Sequence, residues 1–247
     1  MFGLDSLGLH PDNGVIWGAM VASMAVGVAV GLRSPLLAVM LVPVTIENDA
    51  AAAALGELHF GHGMRKPSFF YILVSSGLGG GLVLEGEYFR GAQGRSGELG
   101  FLPIRSARTT AGTLQDVVSL SGLNAMIGEG LATADPEQLA HAPAAVQARI
   151  DAWLDLASDL MVDPVISISS LINPQAIYVG GRLPAPLIDR LTDAVGQKLR
   201  ATPQLLPMAP LKRAALATDA PAMGAAIIPI IDRFLPSRSA LRNTEQA

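Results

Sequence analysis

The 247-residue chain contains no cysteine. Disulfides and thiolate-bound metals are therefore excluded. Aromatic residues make up only 5% of it, so aliphatic and small side chains must build the core. Charge is sparse as well, with 17 Lys and Arg against 21 Asp and Glu and a formal net charge of −4. No cationic run stands out. Nucleic-acid binding needs clustered cations against the phosphates, so no direct nucleic-acid contact by this chain is expected. No basic segment precedes the first apolar run, which is not the pattern of a signal peptide.

What is present is apolar and rich in turns. Half of the residues are hydrophobic, and there are 26 Gly and 17 Pro. Short elements joined by tight turns are expected. Residues 15–32 are uncharged and mostly apolar, and Arg33 follows them. Their length admits a membrane span. Gly18, Ser23, Gly27 and Gly31 dilute the run, and a buried core segment is the expected reading.

Along the chain, 42–46 reads as a strand. Asn48 and Asp49 are residues of the helix-capping type before a helix over 50–58. The apolar run 69–74 reads as a buried strand. Residues 76–81 read as a glycine turn leading to a second strand at 82–84, a hairpin. A second glycine-rich loop spans 91–100. Residues 114–127 look helical. So do 136–171, with an interruption expected at Pro164. A strand over 176–179, a helix over 184–199, a strand over 214–217 and a helix over 221–235 follow. Residues 237–247 read as a flexible tail. Strands alternate with helices, which makes the class α/β.

Four constellations could carry chemistry. Glu47-Asn48-Asp49 lies between a strand and a helix, where open α/β sheets bind ligands. Helix capping explains Asp49 as well. Ser76-Gly77-Leu78-Gly79-Gly80-Gly81 could form an anion-binding nest, or a plain hairpin turn. Glu98 is framed by Gly97 and Gly100, either as a held ligand or as an exposed loop residue. Gly180-Gly181 closes a strand, either over a nucleotide or as an ordinary turn. His59 and His62 lie near each other without a third ligand, so no metal site is expected.

In this order the motifs resemble the ROK family of sugar kinases and repressors. Glu47-Asn48-Asp49-Ala50, with Ala52, Ala53, Gly56 and Glu57, resembles the family's E-N-D-A-N-A-A-A-L-G-E segment. Ser76 through Gly81 resembles its G-T-G-I-G-G-G phosphate loop, with Gly86 in the following hairpin. The loop ending Gly97-Glu98-Leu99-Gly100 resembles its G-E-L-G segment. Asn173-Pro174 with Tyr178-Val179-Gly180-Gly181 resembles N-P-x-x-I-V-I-G-G, and Gly224-Ala225-Ala226 the closing L-G-A-A. The likeness covers residues 41–230.

The resemblance implies an actin-like ATPase (ribonuclease H-like) α/β fold, mainly its second lobe with part of the first. It divides the chain into a first-lobe remnant over 1–48 and a core over 49–236. It implies a sugar ligand held by Asn48, Asp49, Glu98 and Gln115, with Asp49 as general base if the protein is a kinase. It assigns Ser76, Gly77, Gly79 and Gly80 to phosphate, and Gly180 and Gly181 to the nucleoside. The implied cofactors are ATP and Mg2+. The family's D-x-G-x-T motif is missing from residues 1–40, so the chain is expected to begin inside the first lobe. Phe101 stands where the family has a zinc-ligating histidine, and no zinc is expected. Gln115 stands where it has a sugar-contacting Glu. A sugar-sensing part of a transcriptional regulator is expected, with an ATP-dependent hexose or N-acetylhexosamine kinase as the alternative. A cytoplasmic homo-oligomer, a dimer, completes the expectation.

Overall fold

The computed structural model describes residues 46–128, 139, 142–203 and 207–234. The chain divides into two compact units, 1–49 and 50–247. Of the first, only the stretch from Ile46 to Asp49 is described.

Helix α1 (Asp49–Phe60) grows from a run of five alanines, the strongest helix formers. Strand β1 (Phe69–Val74) is buried at all six positions, as a strand covered on both faces must be. Strand β2 (Leu78–Leu84) pairs with it antiparallel, and β3 (Glu87–Tyr88) pairs with β2. Glu85 and Gly86 join β2 to β3 with φ of 51° and 82°. Two consecutive positive φ values are the type I′ geometry that suits the twist of a hairpin.

Strand β4 (Ala176–Gly181) lies parallel to β1 on its other side, and β5 (Leu211–Arg213) lies parallel to β4. The sheet order is β3-β2-β1-β4-β5. Successive side chains of β1 point to opposite faces. Phe70, Ile72 and Val74 join a core with α2 (Leu120–Ile127), α3 (Ala144–Ile172) and α4 (Ala185–Ala201). Phe69, Tyr71 and Leu73 join a second core with α1 and with α5 (Ala220–Phe234). The sheet is thus the middle of three layers.

The layer of α1 and α5 is held at very close range. A Cβ on Gly56 would stand 2.3 Å from the Ala220 carbonyl oxygen, and one on Gly224 would stand 1.6 Å from that of Ala52. The two backbones cross where neither has a side chain.

Several boundaries differ from the sequence expectation. The turn after β1 is confined to residues 75–77, and Gly79, Gly80 and Gly81 belong to β2. The stretch 114–127 is a 3-10 turn at Leu114–Asp116 followed by α2, because Ser119 caps α2 by accepting from the Gly122 amide at 2.9 Å. Helix α3 runs through Pro164 without a break. It ends where Asn173 turns left-handed at φ 52° just before Pro174, a helix stop. Residues 214–217 form no strand; the edge strand is β5, which ends at Arg213. Strand β4 continues through Gly180 and Gly181. The expected strand at 42–46, except Ile46, and the segments 15–32 and 237–247 lie outside the described residues. Among the described residues, no helix is long and apolar enough to cross a membrane.

Candidate functional site

The carboxyl end of β1 and the turn behind it organise the candidate site. The turn is closed by the Ser75 amide donating to the Gly77 carbonyl at 2.9 Å. Helix α2 docks onto it twice. The Leu120 amide donates to the Ser75 carbonyl at 2.8 Å, and the Ser121 hydroxyl donates to the Ser76 carbonyl at 2.6 Å. The turn is therefore fixed from outside the hairpin as well as within it.

The glycines of this run serve different ends. A Cβ on Gly79 would meet the Ala50 methyl at 2.8 Å, and one on Gly81 would meet the Ala54 methyl at 2.5 Å. One on Gly80 would meet the Gly97 carbonyl at 2.4 Å and the Phe70 ring at 2.6 Å. These three glycines admit protein neighbours: α1 on one face of β2 and the loop of Glu98 on the other. Gly77 differs. A Cβ there would meet only the Gln115 side-chain oxygen, at 3.3 Å. Within the run, the position where a ligand could approach the backbone is thus the 75–77 turn.

The loop that carries Glu98 is seated on β2 at two points. Gly97 lies back to back with Gly80, each Cβ position 2.4 Å from the other's carbonyl oxygen. A Cβ on Gly100 would stand 2.2 Å from the Leu78 carbonyl and 3.2 Å from Gln115. Leu99 between them is buried, whereas Glu98 is exposed. Two backbone contacts on a strand therefore present one carboxylate to solvent. Gln115 is half-buried and occupies the seam between Gly77 and Gly100. The structure thus brings the turn, the Glu98 loop and Gln115 together.

Asn48 is exposed and Asp49 is the half-buried first residue of α1. Both belong to the first compact unit. Gly180 and Gly181 lie at the end of β4, beside the end of β1. A Cβ on Gly180 would stand 2.0 Å from the Tyr71 hydroxyl oxygen, and one on Gly181 would stand 2.1 Å from the Val74 carbonyl. Both glycines are required by packing within the protein. Thr218 donates to the Gly181 carbonyl at 3.3 Å, which ties the β5–α5 connection to the same edge.

Sequence reasoning gave Glu57 no role of its own. It is fully buried. Its carboxylate accepts from the amides of His62 at 3.0 Å, Ala215 at 2.9 Å and Leu216 at 3.2 Å. It thus fastens the β5–α5 connection to the end of α1. Burial, and then the Glu57 charge, hold the Tyr71 and Tyr178 phenols above their ordinary values. A carboxylate amid an alanine-rich helix, Ala50 to Gly56, was the available signal. His62 stacks on Tyr178 with ring centres 5.3 Å apart, a packing role. A cavity of about 700 Å³ lined by Thr192, Arg200, Met208 and Leu211 lies between α4 and β5, and none of the candidate residues lines it.

Residues 18–230 match the ROK family. The chain belongs to the ROK family. It is similar to the bifunctional enzyme NanE/NanK of Brucella melitensis, 31% identical over 192 residues, which are 74% of this chain and 36% of that protein. It is similar to the xylose repressor of Caldicellulosiruptor bescii, 41% identical over 75 residues, which are 30% of this chain and 19% of the repressor. Its structure resembles that of a ROK glucokinase from Streptomyces griseus solved with glucose and AMPPNP. The TM-score is 0.59 at 23% identity, covering 74% of this chain and 67% of that one. The fold is the α/β actin-like ATPase fold of these sugar kinases. The chain spans about a third of the Brucella protein and a fifth of the repressor. ROK relatives of this chain thus include both kinases and repressors.

Proposed function

We propose that the chain binds a hexose or N-acetylhexosamine through Asn48, Asp49, Glu98 and Gln115, and that it is the sugar-sensing part of a transcriptional regulator. The observation that supports this most is the seat of Gln115 between Gly77 and Gly100. An amide both donates and accepts hydrogen bonds, which suits the hydroxyls of a neutral sugar. Its contact with the 75–77 turn lets sugar occupancy be felt at the α2 docking point. In this reading the chain works in the cytoplasm as a dimer.

A second reading is favoured by the open backbone at Gly77 and by Asp49. In it the chain is an ATP-dependent sugar kinase. Asp49 takes the proton from the acceptor hydroxyl, and the backbone of the 75–77 turn faces phosphate. Bound ATP with Mg2+ would supply the phosphoryl group and the charge neutralisation that dominate such transfers.

Calorimetric titration with glucose, N-acetylglucosamine, N-acetylmannosamine and xylose separates the two. Sugar binding that Mg-ATP leaves unchanged and that Asp49→Ala abolishes is expected. Sustained ADP formation lost in Asp49→Ala would replace the sensor with the kinase. No binding of any sugar would reject both.

A further inference from the structure

Between Glu98 and Gln115 the chain makes an excursion over residues 102–113. Its neck is closed by backbone pairing: Leu114 donates to Leu102 at 2.9 Å, Ile104 donates to Gly112 at 3.0 Å, and Pro103 bridges Thr113. Thr113 is pinned in turn to the Asp116 carboxylate at 2.7 Å. The neck therefore joins the two sugar-site residues through a rigid link. The tip is held differently. Arg108 reaches α3, where its guanidinium meets Asp155 at 2.6 Å and also Asp159. Ile104 and Ala111 pack against the main core, and a cleft of about 370 Å³ lies beside Arg108, lined by Leu102, Ile104, Arg108, Asp159 and Pro164.

Asp155 and Asp159 are four residues apart on α3, a spacing at which like charges repel. Two cations bridge them. Lys198 of α4 contacts the Asp155 carboxylate at 2.8 Å and also Asp159, and Arg108 contacts both as well. Removing either cation leaves two carboxylates to one. All four side chains are at least partly exposed, Asp155 at 58% and Lys198 at 27%. Single pairs so exposed count for little, but a network of alternating charge counts for more.

We propose that Arg108 is a positioning residue for sugar binding. By clamping the tip of the 102–113 excursion to Asp155 and Asp159, it seats the paired neck, and with it Glu98 and Gln115, on α3. It contacts no ligand itself. This rests on the sugar-site reading above.

The test uses the full chain with Arg108→Gln and Arg108→Lys, titrated with D-glucose, N-acetylmannosamine and, separately, Mg-ATP. Amide hydrogen exchange over 104–112 is followed in parallel. In Arg108→Gln, exchange over 104–112 is expected to rise about fivefold. Sugar affinity should fall about fivefold, with partial rescue in Arg108→Lys. Nucleotide affinity should stay close to wild type, and the melting temperature should fall by no more than it does in Asp155→Asn. High salt should weaken sugar binding by the wild type and not by Arg108→Gln. Unchanged exchange, or unchanged sugar affinity, overturns the clamp. A parallel loss of sugar and nucleotide affinity also overturns it, since that marks a general stabiliser. If the wild type binds neither sugar, the sugar-site reading fails and the positioning role falls with it. Faster exchange in Arg108→Gln would then show a clamp that is structural only.

Discussion

Glu57 shows how one buried carboxylate can organise a fold. It is fully buried and receives three backbone amides. Replacing it by Gln keeps the shape but turns an acceptor into a donor facing donors. Glu57→Gln is expected to cost about 2 kcal/mol, read as a shift in urea midpoint at constant slope. Gly180 offers a second residue-scale check. Its missing side chain is the space that the Tyr71 hydroxyl fills. Gly180→Ala should lose roughly 1–3 kcal/mol by overpacking. Adding Tyr71→Phe should recover part of that loss, a coupling that a double-mutant cycle reads directly. Independent, additive effects would contradict the contact.

At the scale of the elements, glycines with the same backbone preference should behave differently. Gly94 and Gly97 both have positive φ, 70° and 81°. Nothing lies within 4 Å of a Cβ on Gly94, whereas one on Gly97 would strike the Gly80 carbonyl at 2.4 Å. Gly94→Ala should therefore cost only the left-handed penalty of about 1–2 kcal/mol and leave sugar affinity intact. Gly97→Ala should lift the Glu98 loop from β2 and abolish sugar binding while the chain stays folded. Thermal melts beside sugar titrations check both. The hairpin and the alanine helix were legible in the sequence, since each follows from chemistry local to a few residues. The start of β2 was not. Gly79, Gly80 and Gly81 have the composition of a turn, and only the neighbours supplied by α1 and Gly97 explain them as strand. The passage of α3 through Pro164 was likewise invisible to local propensity.

For the whole molecule, the charge cluster on α3 makes a contribution to stability that acid removes. The Asp155 carboxyl is held below its ordinary value, first by the Lys198 hydrogen bond and then by that of Arg108. Its stabilisation is thus fully present above the ordinary aspartate value of 3.8. It is lost as pH falls through the lower folded value. The melting temperatures of wild type and Asp155→Asn should differ at neutral pH and converge in acid below that point. A gap that persists in strong acid would remove the charge explanation. The group is mostly solvated, so the gap should also shrink with salt.

The sequence by itself determined the class, the family and the order of the motifs. Helix formers, buried β-branched runs and capping residues act over a few positions, and the spacing of those positions is written in the chain. Tertiary structure decided what each glycine is for, and that Glu57 fastens α1 to the β5–α5 connection. It also decided that Arg108 meets a pair of aspartates 47 and 51 residues away. The physical reason is the same in each case. A missing Cβ or a buried charge acquires its meaning from the atoms that fill the space beside it, and distant segments bring those atoms there.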